Sequence, residues 1–380
     1  MARVLARHVL IALSLLLTSI TATHAEPGVT DSTITFGQSA PFTGPTGNYG
    51  IQIRDGANVY FEHINKSGGV HGRKIELLSL DDGYEEARAV ANTKALIEDK
   101  KVFALFGYYG TASTNASMKV FSAAKVPLFS TISGASSLRN PVNRYMFNLR
   151  ASYDDETATI VEQLTSFGTK NIAVFYQNDG FGQAGLAGVT AALKKHGLTP
   201  SAVGLVERNS VDVDNAVQEI SKVNPQGVVM VTLYKPTAEF VRKMKQAGQH
   251  PQFMTLSPVG TDLLAKELGQ DSRGIGVSQV MPFPWTSATG LAKEYNNLVK
   301  QYGKTGVSYY GIEGFAAAKV VVEALRKTGR DPTREKFIAA LESMNPYDLG
   351  GYQISYSPTN HSGSKFTELT VIGQDGKVKR

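Results

Sequence analysis

The stretch VFALFGYYGTASTNASM (102–118) combines an apolar run, a hydroxyl-rich turn and the start of a helix-like segment. Val102–Phe106 has the composition of a buried strand, and a helical pattern follows the turn. The turn contains Thr111, Ser113 and Thr114 but no Cys, His, Lys or Arg. Free backbone N–H groups at a helix N-terminus, together with hydroxyls, can bind an anion without any formal positive charge. This segment therefore predicts an α/β fold with a ligand site at the end of a strand.

Strand and helix signals alternate along the rest of the chain in the same way. RKIELLSLDD (73–82), NIAVFYQ (171–177) and VVMVTL (228–233) each read as a strand followed by a helical segment. Strands separated by single helices indicate parallel sheets with right-handed crossovers. The roughly ten such units are too many for one sheet with a single core, so two doubly wound lobes are predicted.

The breaks in this alternation predict where the chain passes between the lobes. ASYDD (151–155) and VMPFPWTS (280–287) interrupt the pattern, and the chain returns to long helices after the second break. The C-terminal tail alternates like β-structure. We therefore expect a hinge of several crossovers. The predicted lobes comprise residues 26–150 with 283–355 (N-terminal lobe) and residues 151–282 with 356–380 (C-terminal lobe).

Residues 1–25 have the pattern of a secretory signal peptide. Arg3 and Arg7 form a basic segment, and Val9–Ile20 is apolar but too short to span a membrane. Thr23 and Ala25 provide small residues before a cleavage site, which predicts a mature chain starting near Glu26. The alternative is an N-terminal anchor.

Composition and motifs exclude several classes of function. The chain has no cysteine, so it has no disulfide, no thiolate metal site and no point of attachment for a lipid anchor. The formal net charge of +6 comes from basic residues mixed with acids, so nucleic acid is not an expected partner. Motifs of serine hydrolases, zinc proteases and dinucleotide-binding enzymes are absent. The sequence predicts a protein without metal, cofactor or catalytic activity.

Further hydroxyl-rich or aromatic turns follow other predicted strands. In the first lobe these are SAPFTGPTGNYG (39–50) and STISGASSLRN (130–140), and Tyr108 and Tyr109 could form an apolar wall. Ordinary helix caps are the alternative interpretation of any single turn. In parallel sheets, however, ligand sites lie at the C-terminal ends of strands, and three such turns in one lobe favour a site. The second lobe adds Phe181, Tyr234 and Ser257 at the ends of its strands.

The ordered set of these segments resembles the periplasmic leucine/isoleucine/valine-binding proteins over essentially the whole mature chain. The resemblance implies a class I periplasmic binding protein, with two Rossmann-like lobes, a hinge of crossovers and a ligand between the lobes. The segments that carry it are TFGQSAPFTGPTGNYG (35–50), FGYYGTASTNAS (106–117), VPLFSTISGASSL (126–138), NIAVFYQNDGFGQAGL (171–186) and YYGIEGFAAAKVVVEAL (309–325).

The resemblance also implies which residues contact the ligand. Thr111 matches the hydroxyl that holds the α-carboxylate, and the turn at Ile132–Gly134 supplies further contacts. Phe181 matches a second-lobe aromatic residue but lacks its phenol group. The full set of expected ligand-binding residues is Tyr49, Tyr109, Thr111, Ile132, Ser133, Gly134, Phe181, Tyr234, Ser257, Tyr310 and Glu313.

One position departs from the family pattern. The family binds the ligand's ammonium group with an acid where this chain has Ser257, and a buried ammonium without a charged partner is costly. Either another acid, with Glu313 as the best candidate, replaces it, or the ligand lacks an ammonium group. An aromatic carboxylate, a keto acid or an amide would fit the second case.

The function implied by the resemblance is transport. We expect a monomeric, periplasmic substrate-binding subunit, not lipid-anchored, that delivers a small carboxylate-bearing solute to an ABC permease in the inner membrane. A branched-chain or other amino acid is the first expectation for that solute. A periplasmic sensor module that uses the same cleft is the alternative.

Overall fold

The computed structural model describes residues 26–380, and the signal peptide predicted at 1–25 lies outside these residues. Over the described part of the chain, no helix combines the length and apolar character needed to cross a bilayer. Strands and helices alternate as the sequence predicts. The strands are β1 Thr33–Ala40, β2 Lys74–Asp81, β3 Ala104–Tyr109, β4 Leu128–Ile132, β5 Met146–Phe147, β6 Ile172–Asn178, β7 Val203–Glu207, β8 Gly227–Val231, β9 Gln252–Thr255, β10 Gly276–Gln279, β11 Tyr347–Asp348, β12 Gln353–Ile354, β13 Glu368–Ile372 and β14 Val378–Lys379.

The α-helices fill the connections between these strands. Ser152 and Asp155 form a reciprocal capping box at the start of one of them, and Ser308 caps another by accepting the N–H of Gly311. The helices are α1 Gly47–Lys66, α2 Glu86–Lys94, α3 Thr111–Ala123, α4 Tyr153–Ser166, α5 Gly180–Lys195, α6 Asp214–Ser221, α7 Tyr234–Gln246, α8 Thr261–Leu268, α9 Gly290–Tyr302, α10 Tyr309–Thr328 and α11 Arg334–Glu342.

The first sheet has five parallel strands in the order β2-β1-β3-β4-β5. Every residue of β3 and β4 is buried, because helices cover both faces of the sheet. Tyr109 at the end of β3 is in register with Ile132 at the end of β4. The turns that follow these two strands therefore lie side by side at one edge of the sheet.

The second sheet has the strand order β14-β13-β10-β9-β8-β6-β7. Its β10, β9, β8, β6 and β7 are parallel, whereas β13 and β14 from the C-terminal tail pair antiparallel at one side. The β-structure predicted for the tail is therefore present. The core around the second sheet contains stacked rings, such as Phe175 on β6 and Phe240 on α7, whose centroids lie 4.1 Å apart.

Within residues 26–380, the chain passes from one sheet to the other three times: between β5 and α4, between β10 and α9, and between β12 and β13. Before the third passage, Tyr356 still contacts the first lobe, since its hydroxyl donates to the carbonyl of Asn148 at 3.0 Å. The lobe limits at 150/151, 282/283 and 355/356 remain predictions.

Candidate ligand-binding site between the lobes

The hydroxyl-rich turns after β3 and β4 meet directly. The Oγ1 of Thr111 and the Oγ of Ser133 are 2.7 Å apart, and both side chains are fully buried. The carbonyl of Ile132 accepts the N–H of Gly110 at 3.3 Å, which ties the two turns together. The hydroxyl pair thus lies at the N-terminus of α3, where unpaired backbone N–H groups favour an anion.

Two glycines allow aromatic rings to approach this pair. Gly110 has a φ of 89°, and a Cβ there would lie 2.7 Å from the ring of Tyr84. A Cβ on Gly134 would lie 2.4 Å from the ring of Tyr153. Any larger residue at either position would displace Tyr84 or Tyr153 from beside the hydroxyl pair.

Four tyrosine rings form the apolar wall of the site. The ring of Tyr49 stacks on that of Tyr109 with centroids 5.0 Å apart, and Tyr310 and Tyr234 lie edge-on to Tyr49 at 5.2 and 5.8 Å. Burial raises the pKa of Tyr49, Tyr109 and Tyr310, so their phenols are neutral at all physiological pH values. The Tyr109 hydroxyl is buried and makes no hydrogen bond to the described residues.

Phenol groups of these tyrosines also connect the two lobes. Tyr49 on α1 donates to the carbonyl of Val259, and Tyr310 on α10 donates to the carbonyl of Pro258, both at 2.9 Å. In the opposite direction, Tyr234 on α7 donates to the carbonyl of Pro45 at 3.0 Å. These bonds require the lobes to be in contact, so the structure shows the closed arrangement.

A second set of contacts joins the lobes at another edge of the site. The guanidinium of Arg208, which follows β7, lies 3.9 Å from the ring centroid of Tyr84 and donates to Asp179 at 3.1 Å. It also donates to Ser113 Oγ at 3.3 Å, beside the hydroxyl pair. Asp179 caps α5 by accepting the N–H of Phe181 at 2.9 Å. Residues from both lobes therefore enclose the hydroxyl turn.

A cavity of about 310 Å³ lies between the lobes next to these rings. Tyr49 and Thr46 line it from the first lobe, and Gln177, Leu233 and Tyr234 line it from the second. Its size suits a small solute, and its lining is mainly apolar with a few polar groups, as in small-molecule sites generally.

Ser257 and Glu313, the two positions connected with ammonium binding, both contact an arginine. Arg150 Nε and Nη2 donate to the two carboxylate oxygens of Glu313 at 2.8 and 2.7 Å. Arg150 Nη1 donates to Ser257 Oγ at 3.2 Å. Ser257 in turn donates its hydroxyl and its backbone N–H to the two oxygens of Glu156, at 3.0 and 2.8 Å. The carboxylate of Glu313 is thus already neutralised by a residue of the chain.

Burial shifts the pKa values of Arg150 and Glu156 in opposite directions. Burial alone would lower the pKa of Arg150, but the carboxylate of Glu313 outweighs that effect and raises it. Burial raises the pKa of Glu156, which is completely inaccessible and lies at hydrogen-bond distance from Ser257 and Ser278 rather than from a cation. Arg150 therefore stays charged, whereas Glu156 is biased towards its neutral form.

The structure brings the expected residues together in three groups. Thr111, Ile132, Ser133 and Gly134 form the hydroxyl turns. The second group is the aromatic wall, and the third consists of the residues that contact Arg150. The remaining members are Tyr49, Tyr109, Tyr234 and Tyr310 in the aromatic wall, Phe181 with its ring 5.3 Å from that of Tyr153, and Ser257 with Glu313 around Arg150.

Sequence analysis missed three further residues of this site. Arg150 ends an apolar segment just before the first predicted lobe break, and an arginine in such a position is a signal that could have been used. Tyr84 comes two residues after Asp82, beyond the end of β2, and Arg208 follows β7. Among residues 26–380, no group of three or more His, Asp or Glu side chains is arranged to hold a metal ion.

Comparison with known proteins identifies the family. The family profile described as "Periplasmic binding protein" matches residues 33–377. The chain belongs to the periplasmic binding proteins of the leucine/isoleucine/valine-binding type. A curated relative, Leu/Ile/Val-binding protein homolog 7 of Brucella abortus, is 24% identical over 95% of this chain and 94% of its own length. The resemblance noted in the sequence is thereby confirmed.

Solved structures of similar proteins confirm the fold. A possible leucine/isoleucine/valine-binding protein from Rhodopirellula baltica superimposes with a TM-score of 0.87 at 30% identity, covering 92% of this chain and 96% of that one. A substrate-binding periplasmic protein from Ralstonia solanacearum gives a TM-score of 0.86 at 32% identity, covering 91% and 99%. The chain has the class I periplasmic binding protein fold, as predicted.

Proposed function

We propose that the chain is the periplasmic substrate-binding subunit of an ABC importer and that it captures a small carboxylate-bearing solute between its lobes. The observation that carries this proposal is the position of the Thr111–Ser133 hydroxyl pair. It lies at a helix N-terminus of one lobe and is enclosed by residues of the other lobe, including Arg208. The family to which the chain belongs consists of substrate-binding proteins, which supports a role in binding rather than in catalysis.

Hinge closure provides the mechanism. A solute that contacts both lobes stabilises the closed arrangement by the difference between its affinities for the closed and open forms. The bonds of Tyr49 and Tyr310 to the loop at Pro258–Val259 form only in the closed form, so they add to the stability of the closed complex. The permease would then recognise the closed shape. The three passages between the lobes supply the hinge.

A thermal-shift screen tests the proposal. The mature chain, freed of bound solute by unfolding and refolding, is heated with aliphatic amino acids, aromatic amino acids, aromatic carboxylates, keto acids and amides. A solute at 100 times its dissociation constant adds about 2.7 kcal/mol to the stability, which gives a clear shift of the melting temperature. We expect at least one carboxylate-bearing class to produce such a shift. If no class does, solute binding of this kind is ruled out.

Substitution of Thr111 tests the assignment of the carboxylate. Thr111→Val keeps the shape of the side chain but removes the hydroxyl, so affinity for the active carboxylate should fall by about 1–3 kcal/mol. Thr190→Val, at an exposed position on α5, is the matched control and should bind normally. Affinities measured by calorimetry check this prediction. Equal affinity of the Thr111 variant and the control would contradict the role of the hydroxyl turn.

A further inference from the structure

Two of the carboxylates nearest the cleft are already paired with arginines. Glu313 accepts both of its hydrogen bonds from Arg150, and the two side chains are 2% and 1% exposed. Asp179 is paired with Arg208 at 3.1 Å and also accepts the N–H of Phe181. Neither carboxylate has an unbalanced negative charge to offer a ligand.

Two further buried carboxylates are bound by neutral donors. Glu156 lies at hydrogen-bond distance from Ser257 and Ser278, and Asp82 accepts the hydroxyl of Ser39 and the N–H of Tyr84. These bonds use both oxygens of each carboxylate, so neither carboxylate has an oxygen without a hydrogen-bond partner.

The remaining acids near the site lie at its margins. Asp154 and Asp155 begin α4, where they accept the hydroxyls of Ser136 and Ser152 at 2.8 and 2.6 Å. Both belong to the first turn of that helix, and Asp154 is exposed to solvent. Their charges are therefore partly screened by water and by the helix N-terminus.

Asp262 is an exception, because its Oδ1 has no hydrogen-bond partner among the described residues. Its other oxygen accepts the amide of Gln52 at 3.0 Å. Lys266 follows one turn later on the same helix and lines the same cavities. Burial raises the pKa of Asp262, which favours its neutral form, and Asp262 does not line the cavity of about 310 Å³ between the lobes.

A buried cation lies behind the hydroxyl turn, in contrast to these carboxylates. Arg139 is 8% exposed and donates to four backbone carbonyls, two of them on Ser133 and Ala135 at 3.1 Å. The other two belong to Arg150 and Ala151. Among residues 26–380, no carboxylate lies within ion-pair distance of its guanidinium. A positive charge that has no ion-pair partner among the described residues, and that Asp155 and Glu156 offset only from a greater distance, therefore lies behind Ser133.

Two helix N-termini also face each other at this point. Gly180 starts α5 of the second lobe, and a Cβ built on it would lie 3.5 Å from Thr111 Cγ2 at the start of α3. The N-terminus of α3, which has no side-chain cap, therefore presents its positive end to the hydroxyl pair, whereas the N-terminus of α5 is capped by Asp179. The hydroxyl of Tyr109, which is buried and has no hydrogen-bond partner among residues 26–380, is a further possible donor in the same turn.

We propose that the solute is an organic acid without an ammonium group: its carboxylate binds the Thr111–Ser133 pair, and its apolar body lies against the tyrosine wall. The inference rests on the proposed solute-binding function and narrows it. It follows from a cleft that offers hydroxyl donors and the guanidinium of Arg139, and from the cavity between the lobes, whose lining among residues 26–380 includes no carboxylate. A zwitterionic amino acid would have to bury its ammonium group without a charged partner and close to Arg150.

Calorimetric titration of the refolded wild-type protein with matched ligands tests the proposal. One set contains 4-methylpentanoate, leucine and 3-methylbutylamine, and the other contains 3-phenylpropanoate, phenylalanine and 2-phenylethylamine. Within each set the apolar body is kept, and either the ammonium or the carboxylate is removed. The amides of both acids complete the panel. We expect at least one carboxylate to bind ten or more times more tightly than its amino acid and its amide, and the amines not to bind.

The outcomes separate this inference from the proposed function. If an amino acid binds at least as tightly as its matched carboxylate, the proposal of a ligand without an ammonium group is wrong, but the proposed solute binding stands. Asp262→Asn is then the next variant to test. If an amide is the tightest ligand, the assignment of a carboxylate group to the solute is wrong, and the proposed solute binding again stands. If no member of this panel or of the thermal-shift panel binds, both proposals fail.

Discussion

Two buried arginines near the first interlobe crossover, Arg139 before β5 and Arg150 after it, have different electrostatic surroundings. Arg150 forms a two-pronged ion pair with Glu313, whereas Arg139, eleven positions earlier, is held by carbonyl groups alone. Burial lowers the pKa of Arg139 to about 10, while the Glu313 carboxylate keeps the pKa of Arg150 above its ordinary value. Both therefore remain charged at neutral pH.

The difference shows that burial of a charge does not by itself decide its influence on a neighbouring site. The Arg150–Glu313 pair is electrically balanced, so it fixes structure at the hinge and contributes little net field. The charge of Arg139 is hydrogen-bonded by carbonyl groups and is stabilised by Asp155 and Glu156 only from beyond ion-pair distance, and it lies behind the turn that holds Ser133. Substitutions of Glu313 and Arg139 separate a structural role for Arg150 from an electrostatic role for Arg139.

Removal of the acid from the balanced pair should have the largest effect on stability. Glu313→Gln leaves the guanidinium of Arg150 buried opposite a neutral amide, and we expect the free energy of unfolding to fall by about 3–5 kcal/mol. Urea unfolding followed by circular dichroism measures this loss. Replacement of both members, as in Arg150→Met with Glu313→Leu, should restore most of the stability, because no charge then remains unpaired.

The matched control is an ion pair at the surface. Arg144 and Glu335 are 2.5 Å apart, but their side chains are 53% and 61% exposed. Arg144→Ala should therefore cost less than about 1 kcal/mol. A Glu313→Gln variant as stable as this control would show that the buried pair is not required for the fold.

Removal of Arg139 should lower the stability less than Glu313→Gln does, but it should lower the affinity for a carboxylate ligand. Arg139→Met deprives four carbonyls of a donor but leaves no charge unpaired, so we expect a loss of about 1–3 kcal/mol. Affinity for the best-binding carboxylate should fall, whereas affinity for its amide should change little. Calorimetry with both ligands checks the distinction. An equal loss for the acid and the amide would mean that Arg139 acts only on structure.

Glu156 provides the smallest effect, which depends on pH. Burial raises its pKa in the folded state, so the folded protein favours the protonated carboxyl group. That contribution to stability is complete below the ordinary value of 4.5 and is lost as the pH rises through the raised folded-state pKa. Compared with Glu156→Gln, the wild-type protein should therefore lose stability as the pH rises from 4.5 towards neutrality.

Urea unfolding at a series of pH values measures this dependence. Glu162→Gln, on the exposed face of the same helix, is the control and should follow the wild-type curve, since its side chain is 72% exposed. Parallel curves for the wild type and Glu156→Gln would show that the pKa of Glu156 is not raised in the folded protein.

The sequence by itself determined the fold class and the hydroxyl site. Alternating strands and helices are local signals, and parallel strands place their C-terminal turns at one edge of a sheet. The contact between Thr111 and Ser133 could therefore be expected from two neighbouring strand ends. The order of the aromatic and hydroxyl segments was sufficient to indicate the family. Short elements such as β5 and β10, with two and four residues, leave too little periodicity to be recognised.

Only the tertiary structure decided which charges are balanced. Arg150 and Glu313 are 163 positions apart, and they meet because two separate crossovers bring the end of β5 and helix α10 to the same place. The sequence around Arg139 gives no sign that it lacks an ion-pair partner among the described residues, since that depends on every element packed around it. Electrostatic interactions act through space, whereas the periodicity that predicts helices and strands acts along the chain. For that reason the sequence predicted the contact between the hydroxyl turns, whereas the balance of charges on which the proposed ligand rests depends on the packed fold.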